Sequence, residues 1–290
     1  MGTQITAAAL EIISEHACYG GVQGFYRHES SEIGLPMRFS VFQPPQAKDR
    51  AVPVLFYLAG LTCSEETFMI KAGAQRLAAQ LGLMLVAPDT SPRGANIAGD
   101  GDHWDFGVAA GFYLDAIQAP WEKHYRMYSY VVHELRQKIL KNFAAREDRT
   151  GIFGHSMGGH GALTLALRNR DIYRSVSAFA PIAAPTKCPW GQKAFNGYLG
   201  PDQSTWLDYD ASILMANTST PFPHGILIDQ GLADKFLAEQ LLPQEFEAAC
   251  NTANQPLTLR RHEGYDHGYY FITSFIDDHL RFHAAILNAA

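Results

Sequence analysis

A serine enclosed by glycines is the residue of this sequence best suited to covalent chemistry. Positions 154–158 read Gly-His-Ser-Met-Gly and fit the Gly-x-Ser-x-Gly pattern of a nucleophile elbow, in which a tight strand-to-helix turn exposes the serine hydroxyl. Glycines are needed because that turn leaves no room for side chains. The amide of Met157 and the amino end of the following helix would face a developing oxyanion. The pattern predicts Ser156 as the nucleophile and Met157 as an oxyanion-hole donor; the alternative is a glycine-rich turn with a capping serine.

A serine hydroxyl needs a histidine base, and the base needs an orienting carboxylate. In α/β hydrolases, which carry this elbow, the acid and then the histidine follow the serine along the chain. Among the 12 histidines, His267 lies in the glycine-bounded segment 263–268, between the last predicted strand and the last predicted helix. We therefore predict His267 as the base. His155 and His160 precede any acid and are interpreted as structural. His279 and His283 are interpreted as surface or packing residues, His262 lies in or beside a predicted strand, and His224 precedes one.

Two aspartates after the serine are placed to orient such a base. Asp229 ends a predicted strand, and Asp234 lies in the loop that follows it. Orienting carboxylates usually come from such a loop, so Asp234 is the predicted acid and Asp229 a structural acceptor for the loop. Asp266 is a weaker alternative, because a residue next to the base cannot easily reach the far nitrogen of its ring.

A second oxyanion-hole donor is expected in the loop after an earlier strand. Here that loop is 60–62, Gly-Leu-Thr, and the amide of Leu61 is the predicted donor. The alternative is a tight turn in which Gly60 merely permits the bend.

Strands and helices alternate along the chain at a spacing that favours a mainly parallel sheet with right-handed crossovers. Apolar runs predict strands at 52–58, 83–87, 149–153, 175–180, 225–229 and 257–261, and helical patterns cover 1–17, 72–80, 125–143, 236–251 and 271–287. Residues 24–42 alternate in polarity and predict an antiparallel hairpin. Segments 89–111 and 181–209 are expected to be irregular. The prediction is an α/β-hydrolase fold with helices on both faces of the sheet, in a single domain over 1–290.

Composition excludes several classes of partner. Of the 290 residues, 47% are hydrophobic, and the formal charge is 23 − 29 = −6 without a basic tract, so we expect no nucleic-acid partner. No apolar run approaches the roughly 18 residues that span a bilayer, and the amino-terminal residues do not resemble a signal peptide. We expect a cytoplasmic protein that does not bind membranes.

The cysteines lie far apart in the sequence and lack metal-ligand spacing. They are expected to be reduced thiols, at Cys18, Cys63, Cys188 and Cys250. We predict neither a metal nor another cofactor.

Eight motifs in order along nearly the whole chain resemble those of the S-formylglutathione hydrolase family, also called esterase D. They are 58–63 (Leu-Ala-Gly-Leu-Thr-Cys), 89–94 (Asp-Thr-Ser-Pro-Arg-Gly), 103–107 (His-Trp-Asp-Phe-Gly), 111–116 (Gly-Phe-Tyr-Leu-Asp-Ala), 154–162 (Gly-His-Ser-Met-Gly-Gly-His-Gly-Ala), 188–191 (Cys-Pro-Trp-Gly), 229–231 (Asp-Gln-Gly) and 263–267 (Glu-Gly-Tyr-Asp-His). Ala59, where the family often has serine, and Ala109-Ala110, in place of a more glycine-rich pair, depart from the pattern. Neither departure affects the proposed triad.

The resemblance implies a serine hydrolase that cleaves the thioester S-formylglutathione to glutathione and formate in formaldehyde detoxification. It implies Ser156 as nucleophile, Asp234 as acid and His267 as base, with Leu61 and Met157 as oxyanion donors. The reaction would pass through a formyl-enzyme, and a homodimer is common in the family. The alternatives are a general short-chain carboxylesterase and a hydrolase-fold binding protein without catalysis.

The small formyl group predicts a cramped acyl pocket. Trp104 and Trp190 are candidates for its walls, although both could equally be ordinary core residues. Cys63, two residues beyond the proposed donor Leu61, is a candidate for substrate contact without a catalytic role. Glutathione carries two carboxylates, so a basic rim is expected, with three residues as candidates: Arg93, Lys123 and Lys193.

Overall fold

The computed structural model describes residues 10–289, whose strands form one sheet in the order β1-β2-β3-β5-β4-β6-β7-β8-β9. Neighbouring strands are antiparallel from β1 to β5 across the sheet and parallel from there to β9. The strands are β1 Glu11–Cys18, β2 Gly21–Glu29, β3 Pro36–Gln43, β4 Val52–Leu58, β5 Met84–Pro88, β6 Ala145–His155, β7 Tyr173–Phe179, β8 Ile226–Gly231 and β9 Leu257–His262.

Helices cover both faces of this sheet. They are α1 Glu65–Lys71, α2 Gln75–Leu81, α3 Met127–Ser129, α4 Arg136–Asn142, α5 Met157–Arg168, α6 Pro189–Leu199, α7 Ala211–Ala216, α8 Pro243–Thr252 and α9 Tyr269–Leu287. Successive residues of a strand point to opposite faces. In β6, Phe153 packs against His279 and His283 of α9, whereas the next residue, Gly154, lies against Gly158 of α5.

The parallel strands bring several loops to one edge of the sheet. Every residue of β4 is buried, as expected of a strand covered on both faces. Because β4, β6, β8 and β9 run in the same direction, their carboxyl ends meet at the same edge. The segments that follow them, 59–64, 156, 232–236 and 263–268, therefore lie close together.

The predicted fold class is confirmed: the sheet is mainly parallel, helices lie on both faces, and β2 and β3 form an antiparallel hairpin. The predicted strands at 52–58, 83–87, 149–153, 175–180, 225–229 and 257–261 correspond to β4 to β9. Segment 89–111 contains no helix or strand, as expected. That 1–290 forms a single domain stays a prediction.

The predicted amino-terminal helix over 1–17 is wrong where the structure describes it. Residues Glu11–Cys18 form the edge strand β1, paired antiparallel with β2. Pairing with the backbone of β2 outweighs the helical spacing of the apolar residues. Residues 1–9 of this prediction lie outside the described part of the chain.

Segment 181–209 is also more regular than expected, because it contains α6, Pro189–Leu199. Pro189 occupies the first turn of the helix, a position where proline is favoured. Gly191 and Gly197 weaken the helical pattern in the sequence, yet both are needed: a methyl group would overlap the Pro185 backbone at Gly191 and the Phe106 ring at Gly197. Because close packing requires these two glycines, the sequence of this segment does not show the pattern of a helix.

The helix predicted over 236–251 is divided in two, with a π-helical turn at Leu237–Leu241 before α8. Leu242, at the break, has a left-handed backbone with φ 49°. The residue before a proline disfavours the α conformation, so Pro243 explains the break.

Helix α1 was not predicted, although Ser64 and Thr67 form a capping box at its start.

Two histidines interpreted as surface or packing residues are packing residues. His279 and His283 of α9 are fully buried. The Ser177 hydroxyl lies 2.8 Å from a ring nitrogen of each. Burial lowers the pKa of both histidines and so favours their neutral forms in the folded protein.

The buried histidines predict acid sensitivity. Burial lowers the pKa of His160 from 6.5 to about 4. Because this folded-state pKa lies below the unfolded value, the unfolded chain binds more protons between these pH values. The free energy of unfolding therefore decreases as the pH falls from 6.5 towards 4. His160 accounts for up to about 3 kcal/mol of that decrease.

We expect His160→Gln to reduce this pH dependence. The free energy of unfolding, from urea denaturation at several pH values between 7 and 4, should fall less in the variant than in the wild-type protein. His224→Gln, at an exposed position, serves as the control. An equal fall in His160→Gln and wild type would show that His160 titrates as it does in the unfolded chain.

Candidate active site

Ser156 sits in a strained turn between β6 and α5. Its backbone has φ 59° and ψ −120°, a region that non-glycine residues rarely adopt. A methyl group at Gly154 would overlap the Gly158 carbonyl oxygen, and one at Gly158 would overlap that of Leu58. Both glycines of the pentapeptide are therefore required by backbone approach. The Ser156 amide donates to the Phe179 carbonyl 3.0 Å away, which anchors the turn to β7.

The structure brings His267 and Asp234 into direct contact. His267 Nδ1 lies 2.5 Å from Asp234 Oδ2, and the Phe236 amide donates to Oδ1 over 2.8 Å. The acid and base loops are also joined through their backbones, since the Ala233 amide donates to the Tyr265 carbonyl over 2.9 Å. A carboxylate on Nδ1 fixes the proton there and leaves Nε2 as the basic nitrogen.

Ser156 and His267 line one cavity of about 180 Å³. Its other lining residues are Gly60, Leu61, Thr62, Cys63, Trp104, His155, Trp190, Phe236 and Tyr269. Within residues 10–289, no hydrogen bond joins the Ser156 hydroxyl to His267. Such bonds are commonly long in the absence of substrate and tighten when it binds.

The loop 60–63 lies directly against Ser156. A Cβ atom on Gly60 would be 3.2 Å from Ser156 Cβ. The Thr62 amide donates to the Ala109 carbonyl and the Cys63 amide to that of Gly60, so neither can serve an oxyanion. Leu61 lines the cavity. Met157 is the first residue of α5, where an amide lacks an intrahelical acceptor.

The other two aspartates do not contact His267. Asp229 is fully buried and accepts two hydrogen bonds of 2.6 Å from Arg260, with His279 3.3 Å away. These hydrogen bonds and charges hold the pKa of Asp229 below its ordinary value despite burial. Asp229 is structural, as predicted. Its side-chain partners lie on β9 and α9, however, whereas the sequence analysis expected them in the following loop. Asp266 accepts from the Gly268 amide over 2.8 Å.

His155 is part of the site, although we interpreted it as structural from the sequence. Its ring centroid lies 4.4 Å from that of His267, and it lines the cavity. Burial, together with the charge of His267, holds the pKa of His155 well below its ordinary value. A neutral His155 adds no positive charge beside the base. The sequence did contain one indication of this role, because His155 directly precedes Ser156.

Aromatic residues form the walls of the cavity. Trp104 is 55% exposed, Trp190 is 7% exposed, and their rings meet edge to face with centroids 5.5 Å apart. Phe236 and Tyr269 were missed from the sequence. Phe236 lies two residues after Asp234, and Tyr269 lies two residues after His267. This closeness to the triad candidates could have indicated from the sequence that both line the cavity.

Cys63 lines the same cavity, as expected of a candidate for substrate contact. Burial raises the pKa of the Cys63 thiol, so it remains protonated and is a poor nucleophile.

Among residues 10–289, no group of three or more histidine, cysteine, aspartate or glutamate side chains is arranged to bind a metal. No helix in that range is long and apolar enough to cross a membrane.

Comparison with known proteins gives close matches over almost the full length. The family described as "Putative esterase" matches residues 30–282. An S-formylglutathione hydrolase of Rattus norvegicus is 55% identical over 281 residues, covering 97% of this chain and 99% of the relative. That of Mus musculus is 55% identical over 282 residues, covering 97% and 100%. The solved S-formylglutathione hydrolase of Agrobacterium tumefaciens is 48% identical, with a TM-score of 0.92, covering 96% of this chain and 99% of that one.

The contact between Asp234 and His267 predicts a large effect of Asp234→Asn. We expect kcat for p-nitrophenyl acetate to fall roughly 10³–10⁴-fold, because an amide does not stabilise the required histidine tautomer or its charged form. Asp266→Asn, which alters the carboxylate beside the base, is the matched control and should leave kcat near the wild-type value. A large loss in Asp266→Asn alone would assign the acid to Asp266.

Proposed function

The chain belongs to the S-formylglutathione hydrolase family, and from this premise we propose how its residues hydrolyse S-formylglutathione to glutathione and formate. Ser156 acts as nucleophile, His267 as base and Asp234 as the orienting acid. The observation that supports this assignment is the hydrogen bond of 2.5 Å between His267 and Asp234, beside a cavity that Ser156 and His267 share.

In the first half of the reaction, His267 Nε2 accepts the hydroxyl proton of Ser156, and Oγ attacks the formyl carbon. The amides of Leu61 and Met157 stabilise the resulting oxyanion. The carbon–sulfur bond then breaks, glutathione leaves as a thiolate, and His267 passes its proton to the departing sulfur, which returns the imidazole to its neutral form. A thiolate is a good leaving group, so its protonation by His267 matters less than it would for an amine.

In the second half, His267 takes a proton from water, and the hydroxyl oxygen attacks the formyl-enzyme. Collapse of the second tetrahedral intermediate releases formate and returns the proton to Ser156 Oγ. Asp234 stabilises the imidazolium at both stages and stays ionised. The same cavity and the same donors serve both steps.

Four further expectations belong to this proposal. The uninterrupted sheet from β1 to β9 supports a single domain. A homodimer follows from the family resemblance, and light scattering on the purified protein should give twice the mass of one chain. A cytoplasmic location is expected from the widely separated cysteines, which are typical of reduced thiols. Trp190 and Cys63, which line the cavity, contact the substrate in this proposal.

The triad proposal predicts loss of S-formylglutathione hydrolysis in Ser156→Ala and His267→Ala. We expect kcat/KM to fall by roughly 10³-fold or more in each, with no further loss in the double variant, because triad residues act as a unit. His224→Ala, which alters an exposed histidine, is the control. An organophosphate probe should label wild type stoichiometrically and leave Ser156→Ala unlabelled; absence of labelling in wild type would favour the binding-protein alternative.

The dimensions of the cavity predict selectivity for short acyl groups. At about 180 Å³, it must hold the acyl group between aromatic walls, and overpacking such a space costs about 1–3 kcal/mol. In a series of p-nitrophenyl esters, we expect kcat/KM to fall steeply from acetate to hexanoate. Equal turnover across the series, with slow hydrolysis of S-formylglutathione, would instead support a general carboxylesterase.

A further inference from the structure

A second cavity, of about 520 Å³, lies at the same edge of the sheet as the triad. It opens beside the start of β3 and the end of β5, and its lining includes Arg38, Ser64, Glu65, Asp89 and Arg93. The two cavities adjoin along the chain, because Cys63 lines the triad cavity and the next residue, Ser64, lines this one. The proposed mechanism makes no use of this second cavity.

Glu65 is an unusual carboxylate in this cavity. It is only 3% exposed, and within residues 10–289 no other side chain forms an ion pair or hydrogen bond with its carboxylate. Burial raises the pKa of Glu65, and the nearby charge of Asp89 raises it further. A carboxylate in such surroundings is stabilised by an added cationic partner.

Arg93 does not supply that partner. Its guanidinium forms a bidentate pair with Asp89, at 2.9 Å and 2.5 Å, and donates to the Cys63 carbonyl over 2.8 Å. Its charge is therefore balanced by Asp89, and its Nε and Nη2 donors are used within the protein. Lys193, the other basic rim candidate with a partner, pairs with Asp105 at 2.5 Å. The sequence suggested Arg93 and Lys193 as binding groups on the rim, but the charge of each is paired with an aspartate of the protein itself.

Arg38 differs from Arg93 because its guanidinium is exposed and forms no ion pair among the described residues. It lies near enough to Glu65 to favour the ionised carboxylate, yet the two do not form a salt bridge. The lining also includes the exposed Glu66 and Arg27, which pairs with Glu11 and Glu29. Glu65 is thus the buried carboxylate of the cavity without an ion-pair partner, and Arg38 is its guanidinium without one among the described residues. This arrangement complements a zwitterion whose ammonium and carboxylate groups are close together.

We propose that this cavity binds the γ-glutamyl end of the glutathionyl group, with its ammonium against Glu65 and its α-carboxylate against Arg38. The inference rests on the proposed function, since it names the subsite for the leaving group of that reaction. The γ-glutamyl residue is the part of the tripeptide that carries both charges on one carbon.

The reach of the substrate fits this assignment. Cys63 borders the triad cavity, and Glu65 is two residues further along, so their Cα atoms are at most about 7 Å apart. An extended tripeptide spans roughly 10 Å. A thioester held beside Ser156 can therefore extend past Cys63 and Ser64 to Glu65.

Binding to a catalytically inactive variant tests the subsite without the reaction. Titration calorimetry of Ser156→Ala with glutathione should give a Kd that rises roughly 10- to 100-fold on adding Glu65→Gln or Arg38→Gln. Matched controls are Glu147→Gln and Arg76→Gln, which alter exposed side chains outside the cavity. An unchanged Kd in both Glu65→Gln and Arg38→Gln would overturn the proposal, whatever the outcome for S-formylglutathione hydrolysis.

Modified ligands identify which end of the tripeptide is bound. Acetylation of the γ-glutamyl amine should weaken binding to Ser156→Ala, and should cause little further loss once Glu65→Gln is present. Esterification of the glycine carboxylate should have a much smaller effect in both backgrounds. The reverse pattern would place the glycine end in this cavity and overturn the assignment.

Kinetics separate binding from a structural role. In the otherwise wild-type enzyme, Glu65→Gln should raise KM for S-formylglutathione and leave kcat/KM for p-nitrophenyl acetate unchanged, since that ester has no zwitterion. The thermal midpoint should stay the same or rise, because the neutral side chain removes a buried charge. Equal losses on both substrates with a lower midpoint would indicate that Glu65 acts through the fold, and would contradict the proposal.

Discussion

The close approach of the α5 backbone to the end of β4 is the constraint on which the site depends. Only glycine at 158 lets the helix start against the Leu58 carbonyl, and only glycine at 154 lets the strand pass beneath it. This contact holds Ser156 at a φ of 59° that a serine would otherwise avoid. It also brings the loop that begins at Gly60 against the serine side chain. The proposed nucleophile and a proposed oxyanion donor are thus positioned by contacts between backbones.

Two aspartates at the end of β8 show how partners, more than position, decide the role of a carboxylate. Asp229 and Asp234 are both buried and lie five residues apart. The charge of Asp229 is balanced by Arg260, so it stabilises the junction of β8, β9 and α9. Asp234 has no such cation: within residues 10–289, its ion-pair partner is His267. Its negative charge is therefore available to stabilise an imidazolium as that charge forms.

The sequence predicted the parts of the molecule that depend on local patterns. Buried strands such as β4 appear as continuous apolar runs, and the elbow has its own glycine spacing. The order of acid and histidine selected Asp234 and His267, which the structure brings together. Features set by distant contacts were missed. Strand β1 exists through pairing with β2, and the glycines of α6 are required by Pro185 and Phe106. The contact of His155, at the end of β6, with His267 depends on the loop after β9 reaching across the edge of the sheet, which no local pattern encodes.

The loop from Gly60 to Glu65 joins the proposed subsite for the substrate to the proposed oxyanion hole. It contains Leu61, the proposed oxyanion donor, and Arg93 holds its Cys63 carbonyl. It ends at the capped start of α1, which fixes the position of Glu65. A buried carboxylate without a partner destabilises a fold, and natural proteins retain such costs mainly at functional sites. Binding of a zwitterion to Glu65 and Arg38 would place its interaction energy on the same short segment that positions the oxyanion hole. Interactions distant from the thioester would then help to align it with Ser156, which is how remote binding energy accelerates a chemical step.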